Sequence, residues 1–412
     1  MNLIANRVRI VFMAWVYCGF VSPLPLTAAQ DTVILEVRAG EHDREHVPLT
    51  FPLPPRFAEA KRLWMQRLDR GTTVSVQRTM SDPPQVVWML EDRLSLRQVR
   101  RYRLSVTEFD RNEKARVTCT DDGQALTASV RGKPVLTYHS AVVDPPSGVD
   151  PVFRRSGFIH PLQTPTGRVL TEAFPADHLH QHGIFNAWVQ TEFDGRPVDF
   201  WNQAGGTGTV EHAEVKHLAS GPVFGEFSVR LRHLDLSAKP QPVPALDETW
   251  TVRVYDRSDR FVFDLESRQQ CATERPLLLQ EYHYGGMAFR GNSEWLGQAE
   301  SGFLTSDGKS RIDGNHTRPH WTDAYGTLQG RPCGVAVLQH PSNPRFPSPV
   351  RLHPDKPYFV YTPVVLGELT IAPEQPLISR YRYVVHDELP DAEALNAAWA
   401  DYAEPPEVRI IE

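Results

Sequence analysis

The stretch WTVRVYDRSDRFVFDL spans Trp250 to Leu265. Trp250, Val252 and Val254 alternate with Thr251, Arg253 and Tyr255. After the polar run Asp256-Arg257-Ser258-Asp259 the alternation resumes with Phe261, Phe263 and Leu265. Successive side chains of a strand point to opposite faces, so a period of two marks a strand with one buried side, and two such runs around a polar break mark a hairpin. The pattern recurs in Val33, Leu35 and Val37 and in Phe227, Val229 and Leu231. Pro-, Gly- and Asp-rich breaks such as Pro145-Pro146-Ser147-Gly148 separate these runs. Many short strands punctuated in this way predict an all-β sandwich or barrel.

Helical signal is sparse. Phe57 to Leu68 predicts one helix, with Leu63, Trp64 and Leu68 on a face. Near the end, Leu395, Ala398, Trp399 and Tyr402 fall at i, i+3, i+4 and i+7. Asp391 is placed to cap that helix and Pro405-Pro406 to stop it, so it is expected to pack across a sheet.

The chain has 412 residues. Residues 1–29 read as an export signal: Arg7 and Arg9 precede an apolar stretch from Ile10 to Val21, and Thr27-Ala28-Ala29 offers a small-residue cleavage site. The expectation is an exported, periplasmic or secreted protein with no membrane span once the signal is removed. Removing the signal's two arginines takes the formal charge from −6 to −8, which disfavours nucleic acid as a partner. Cys119, Cys271 and Cys333 remain, too few for a disulfide framework and without a CxxC pair for zinc. A β-rich region over 30–148 and a main β-sandwich with the C-terminal helix over 149–412 are expected, joined near Pro145 to Val152.

The richest chemistry lies in FPADHLHQHGIFNAW, Phe174 to Trp188. If the segment is extended, His178, His180 and His182 point one way, with Asp177 placed to orient a ring or add a ligand. An imidazole row suits general acid–base work, because the ring titrates near neutrality. It also suits a divalent metal, the only cofactor these residues raise; the alternative is a histidine-rich strand edge. In QEYHYGG, Gln280 to Gly286, Glu281 and His283 are two apart, and the paired glycines would let another backbone approach closely. Glu281 is the natural carboxylate partner for proton transfer, unless it pairs with an arginine such as Arg290. The loop His340 to Pro347 is stiffened by proline and could present Asn343 and Arg345 to a ligand. Trp188 and Trp201 lie near polar groups, as a sugar-binding ring would, although core packing accounts for a tryptophan more often. No Walker A loop, HExxH, dinucleotide fingerprint or G-x-S-x-G elbow is present.

The ordered set is more telling than any one piece. Gly157-Phe158-Ile159-His160-Pro161, Thr164-Pro165-Thr166-Gly167, the Phe174–Gly183 run and Val198-Asp199-Phe200-Trp201 are followed by Glu281-Tyr282, the His340–Pro347 loop and Arg380-Tyr381-Arg382-Tyr383-Val384-Val385-His386-Asp387. Over about residues 125 to 405 this resembles a bacterial family labelled "methane oxygenase PmoA", otherwise known as a domain of unknown function. The usual form there looks like Asp-His-Pro-His-His-Arg-Gly. Asp177, His178, His180 and Gly183 carry over, whereas Leu179, Gln181 and His182 depart. The strand pattern is unlike the helical membrane subunits of true methane monooxygenase. It resembles mutarotase-type sandwiches, which implies a large, curved β-sandwich of the galactose-mutarotase superfamily and a carbohydrate substrate.

The expected activity is therefore proton transfer on a small-molecule or oligosaccharide substrate, by an epimerase, lyase or hydrolase. His178, His180, Asp177 and Glu281 would be catalytic. His182, His283, Asn343, Arg345, Trp201, Trp188 and His340 would bind substrate. The alternatives are metal-dependent chemistry on the histidines and a non-catalytic glycan-binding module. The sequence does not define an oligomeric state.

Overall fold

The computed structural model describes residues 32–60, 62–107 and 113–411. The expected export signal lies outside these. Among the described residues, no helix is long and apolar enough to cross a membrane.

Two eight-stranded antiparallel sheets dominate the fold. One runs in the order Gly208–Ala219, Phe224–Asp235, Val243–Tyr255, Phe261–Cys271, Leu377–His386, Arg331–Gln339, Trp321–Leu328 and Gly302–Thr305. The hairpin read from the sequence is at its centre, with Val252 opposite Leu265 and Val254 opposite Phe263. The other sheet runs Val350–Leu352, Tyr358–Tyr361, Gly286–Arg290, Ile184–Ala187, Phe158–Leu162, Lys133–His139, Ala125–Val130 and Val117–Asp121. The two sheets share one core, in which Tyr138, Phe158 and Phe185 of one meet Phe227, Trp250 and Phe263 of the other. This is the all-β sandwich that the alternation predicts.

A smaller unit precedes it. Thr32–Arg38, Val99–Val106 and Leu63–Arg67 form most of a five-stranded sheet, and Val47–Pro52, Gln85–Leu90 and Val76–Arg78 form a three-stranded one. Their shared core gathers Leu35, Leu49, Met65, Trp88 and Leu104. The strands from Val117 to His139 belong to the large sandwich, so the expected junction near Pro145 to Val152 falls within its run of strands.

The helix expected over Phe57–Leu68 does not form. Pro55–Phe57 is a single 3-10 turn, and Leu63–Arg67 is a strand paired with Val99–Val106. Extension buries Met65 in the small core, a gain that outweighs the helix preference of the preceding Ala-Glu-Ala. The C-terminal helix is present as Ala392–Ala403, and Asp391 accepts a bond from the Ala394 amide at 3.1 Å. Its face of Leu395, Ala398, Trp399 and Tyr402 packs with Val87 and Met89 of the small unit and Trp321 and Leu338 of the large one. It therefore pins the two units together.

Candidate functional site

Strand order creates the site. Ile184–Ala187, Gly286–Arg290 and Tyr358–Tyr361 are antiparallel neighbours, so the loop before the first and the turn before the third leave the same end of the sheet, while the residues before the second start from the other end and reach the same cleft through His283 and Tyr284. Between them lies a cleft of about 270 Å³ lined by His178, His180, Gln181, Trp201, Asn202, His283, Tyr284, Arg351, His353 and Tyr358.

The histidine segment is not the extended strand that alternation suggested. His178 donates its amide to the Pro175 carbonyl at 2.9 Å, and Gln181 donates to that of His178 at 2.9 Å. Two successive turns result. The base is closed by the Phe174 amide bonding to the Gln181 carbonyl and by an Ala173–His182 bridge. Gly183 ends the loop at φ +59°, where an added Cβ would lie 2.2 Å from the Ile159 carbonyl oxygen. Pro175 and the closing glycine impose this compact shape.

The three histidines consequently do not share a face. His178 and His180 line the cleft with ring centroids 5.6 Å apart, and His353 lies 5.5 Å from His178. His182 is fully buried among Phe174, Phe158 and Phe185, with neither ring nitrogen hydrogen-bonded. Burial holds its pKa well below the usual imidazole value. It serves as a packing residue beneath the loop, which corrects its expected place as a substrate contact.

Asp177 anchors the loop. Arg290, fully buried, donates to it at 2.9 and 3.3 Å and to Gln181 at 3.1 Å. Lys356 lies 3.6 Å away and His178 Nδ1 3.4 Å away. Burial alone would raise the Asp177 pKa, but the charge and hydrogen bonds of Arg290, with His178, outweigh it and hold the carboxyl below its ordinary value. Arg290 is thus the partner of Asp177 rather than of Glu281.

Burial and the neighbouring charges of His178, Arg155 and Arg290 push His180 down to about 4. His353 is also pushed down to about 4, by burial and then by His178 and Arg351. Both rings are neutral near pH 7. The Nδ1 of His353 accepts the Asp355 and Lys356 amides, each at 3.1 Å. An acceptor nitrogen carries no proton, so the neutral ring has its N–H on Nε2.

The opposite wall is built by Asp199, whose carboxylate takes the amides of Trp201 and Asn202 at 2.9 and 2.8 Å. Asn202 in turn donates to Tyr284 Oη at 3.2 Å. Burial raises Tyr284 to about 12 and Tyr358 well above its ordinary value, so both are hydroxyl donors at neutral pH. The expected close approach at the paired glycines is present: a Cβ on Gly286 would lie 2.7 Å from the Tyr361 carbonyl oxygen.

Several expected residues lie elsewhere. Glu281 is exposed and does not line the cleft, because residues 280–285 leave the strand pattern and His283 and Tyr284, not Glu281, reach the cleft. Asn343 bonds both ways to the Arg380 backbone, at 2.7 and 2.9 Å. Arg345 donates to the carbonyls of Pro363, Gly367 and Glu368. His340 bonds to Ser342 and packs on Tyr402. These three fasten the proline loop to the sandwich and do not face the cleft. Trp188 is core, donating to Gln269 at 2.9 Å. Arg351, His353, Tyr358 and Tyr284 were not singled out from the sequence, since only strand order reveals their neighbourhood. Among the described residues, no group of three or more His, Cys, Asp or Glu side chains has the arrangement to hold a metal ion.

A family model described as a family of unknown function, DUF6807, matches residues 125–400. The chain belongs to that family. The match takes in every residue of the cleft and both large sheets' central strands. It overturns the methane-oxygenase label that the sequence resemblance carried, because the matching family is defined without a function. No curated protein matches the chain.

Proposed function

We propose that the cleft is the active site of a carbohydrate-active enzyme that works by proton transfer between histidine and substrate. The observation that carries this reading is the gathering of His178, His180 and His353 in one cleft, with ionised Asp177 behind His178. Asp177 beside Nδ1 favours the tautomer with its proton there and leaves Nε2 of His178 free to accept one. His180, neutral and part-buried, is the second proton acceptor. Nε2–H of His353 and the Tyr358 hydroxyl are the opposed donors. An export signal and a mutarotase-like sandwich, both expected from sequence, favour a sugar as substrate.

The lining contains no carboxylate. Glycoside hydrolysis ordinarily uses two carboxyl groups about 5–9.5 Å apart. The site therefore favours an epimerase or lyase over a hydrolase. Removing a positioned acid or base costs about 10²–10⁴-fold in rate. Purified protein is to be screened against monosaccharides and oligosaccharides by NMR, with His180→Ala and His178→Ala alongside. Turnover lost in both variants, with the fold intact, supports the reading; turnover retained in both refutes it. Substrate binding without turnover, unchanged in His180→Ala, favours a glycan-binding module. A stoichiometric metal in untagged protein, lost on His178→Ala, favours metal-dependent chemistry.

A further inference from the structure

We infer that the substrate of this cleft is a single sugar ring bearing a carboxylate, a uronate-class monosaccharide, with Arg351 as its counter-ion. This rests on the proposed reading of the cleft as a sugar site and adds the charge and size of the ligand.

Charge is the first argument. Arg351 lines the cleft, and among the described residues it has no acidic partner within ion-pair distance. Its Nη1 donates to two neutral oxygens, Asn315 Oδ1 and the Leu352 carbonyl, each at 3.2 Å. The nearest carboxylate of the loop, Asp177, is already engaged by Arg290 and Lys356. A guanidinium presents its N–H groups in a planar fork that matches the two oxygens of a carboxylate.

Hydrogen-bond polarity is the second. Nε2–H of His353 points away from the turn that its Nδ1 caps. Tyr358 Oη and Trp201 Nε1 are buried without partners, on side chains that line the cleft. Buried polar groups ordinarily have partners, so unpaired ones in a cleft are a sign of a missing ligand. The lining's side-chain amide acceptors are engaged: Gln181 Oε1 by Arg290 and Asn202 Oδ1 by Tyr284. Beside the acceptor nitrogens of His178 and His180, the lining side chains offer donors and a cation. A neutral hexose, which donates as much as it accepts, would desolvate Arg351 without placing an anion opposite it, and that is costly. A carboxylate supplies what is missing.

Size is the third. A space of about 270 Å³ falls just below the usual span of ligand sites, roughly 300 to 1,000 Å³. Such a space holds one pyranose.

The test is isothermal titration at pH 7.5 with D-glucuronate, D-galacturonate, D-glucose and glucose 6-phosphate, on the full protein and on Arg351→Met and Arg351→Lys. The expected result is that a uronate binds at least tenfold more tightly than glucose. Arg351→Met should remove that preference, and Arg351→Lys, which keeps the charge and loses the fork, should restore part of it. Equal binding of glucose and uronates, no effect of Arg351→Met in a folded protein, or no uronate binding would overturn the inference. Glucose 6-phosphate outcompeting both uronates would overturn it in favour of a phosphosugar. The two readings fail separately. Uronate binding without turnover supports the inference and refutes the proposed catalysis. Turnover of neutral sugars untouched by Arg351→Met does the reverse.

Discussion

Asp177→Asn separates the anchoring of the histidine loop from everything else in the fold. The wild-type carboxylate receives two bonds from Arg290, at 2.9 and 3.3 Å, and the guanidinium is fully buried. Breaking a fully buried pair by removing one partner costs about 3–5 kcal/mol, and a hydrogen bond to a charged group contributes about 1.5–3 kcal/mol. The Asp177 side chain is 21% exposed, so water reaches the site, and an asparagine oxygen keeps one of the bonds. The expected loss is therefore about 2 kcal/mol, within the range of a charged hydrogen bond and below that of a fully buried pair. Because the folded pKa of Asp177 is depressed, its contribution is present above the unfolded value of about 3.9 and is lost as pH falls through the folded one. Urea unfolding followed by tryptophan fluorescence should show the full gap between wild type and variant at pH 7, closing below about pH 4. A double-mutant cycle with Arg290→Met should give a coupling of at least about 1 kcal/mol. The reasoning is wrong if Asp177→Asn costs less than about 0.5 kcal/mol, or costs the same whether or not Arg290 is present.

His386 lies between two acceptors, Glu388 carbonyl at 2.9 Å and Asp323 Oδ2 at 2.8 Å, and although burial lowers its pKa, the charge and bond of Asp323 raise it further than that. Its stabilisation should be complete below the unfolded histidine value of about 6.5 and fade as pH rises through the raised folded value; melting curves from pH 6 to 9 should show this fall in wild type and not in Asp323→Asn. Gly183→Ala should cost about 1–3 kcal/mol in backbone strain alone, beyond the clash with Ile159, and reduce both melting temperature and soluble yield. Arg345→Ala should lower stability by about 1–3 kcal/mol through its lost carbonyl bonds while leaving ligand affinity in titrations unchanged, since the side chain faces away from the cleft.

The sandwich was legible because its signal is local. Each long strand carries its own alternation, and the Trp250–Leu265 hairpin needs no distant partner to be recognised. The C-terminal helix was legible for the same reason, having a cap and an apolar face of its own. Local preference misled where pairing decided. Ala58-Glu59-Ala60 favours a helix, yet Leu63–Arg67 gains more by pairing with Val99–Val106 on one side and Thr73–Val74 on the other. In the histidine run, alternation resembles a strand on paper, while Pro175 and the closing glycine fold it into turns. Three of the ten lining residues, Arg351, His353 and Tyr358, come from some 170 residues after His180, and the His-Pro pair there looks no different from those at His160 or His340. Glu281 was expected in the cleft from its spacing to His283 and its place in the ordered set of segments. Spacing does not convey where a strand ends, and this one ends at Leu279.

Glu407–Ile410 lies alongside Thr32–Arg38 in the small unit, with Leu35 opposite Ile410 and Arg38 opposite Glu407. Glu36, almost fully buried, accepts from Arg38 and Arg101 and also from Arg409. One of the earliest described segments to leave the ribosome therefore waits for one of the last. Until Arg409 arrives, the Thr32–Arg38 edge stands open with part of its ionic cluster missing, a template for other extended chains. A folding helper that shields that edge during synthesis would matter most for this unit, and cutting the chain just before Glu407 should leave the edge exposed for good.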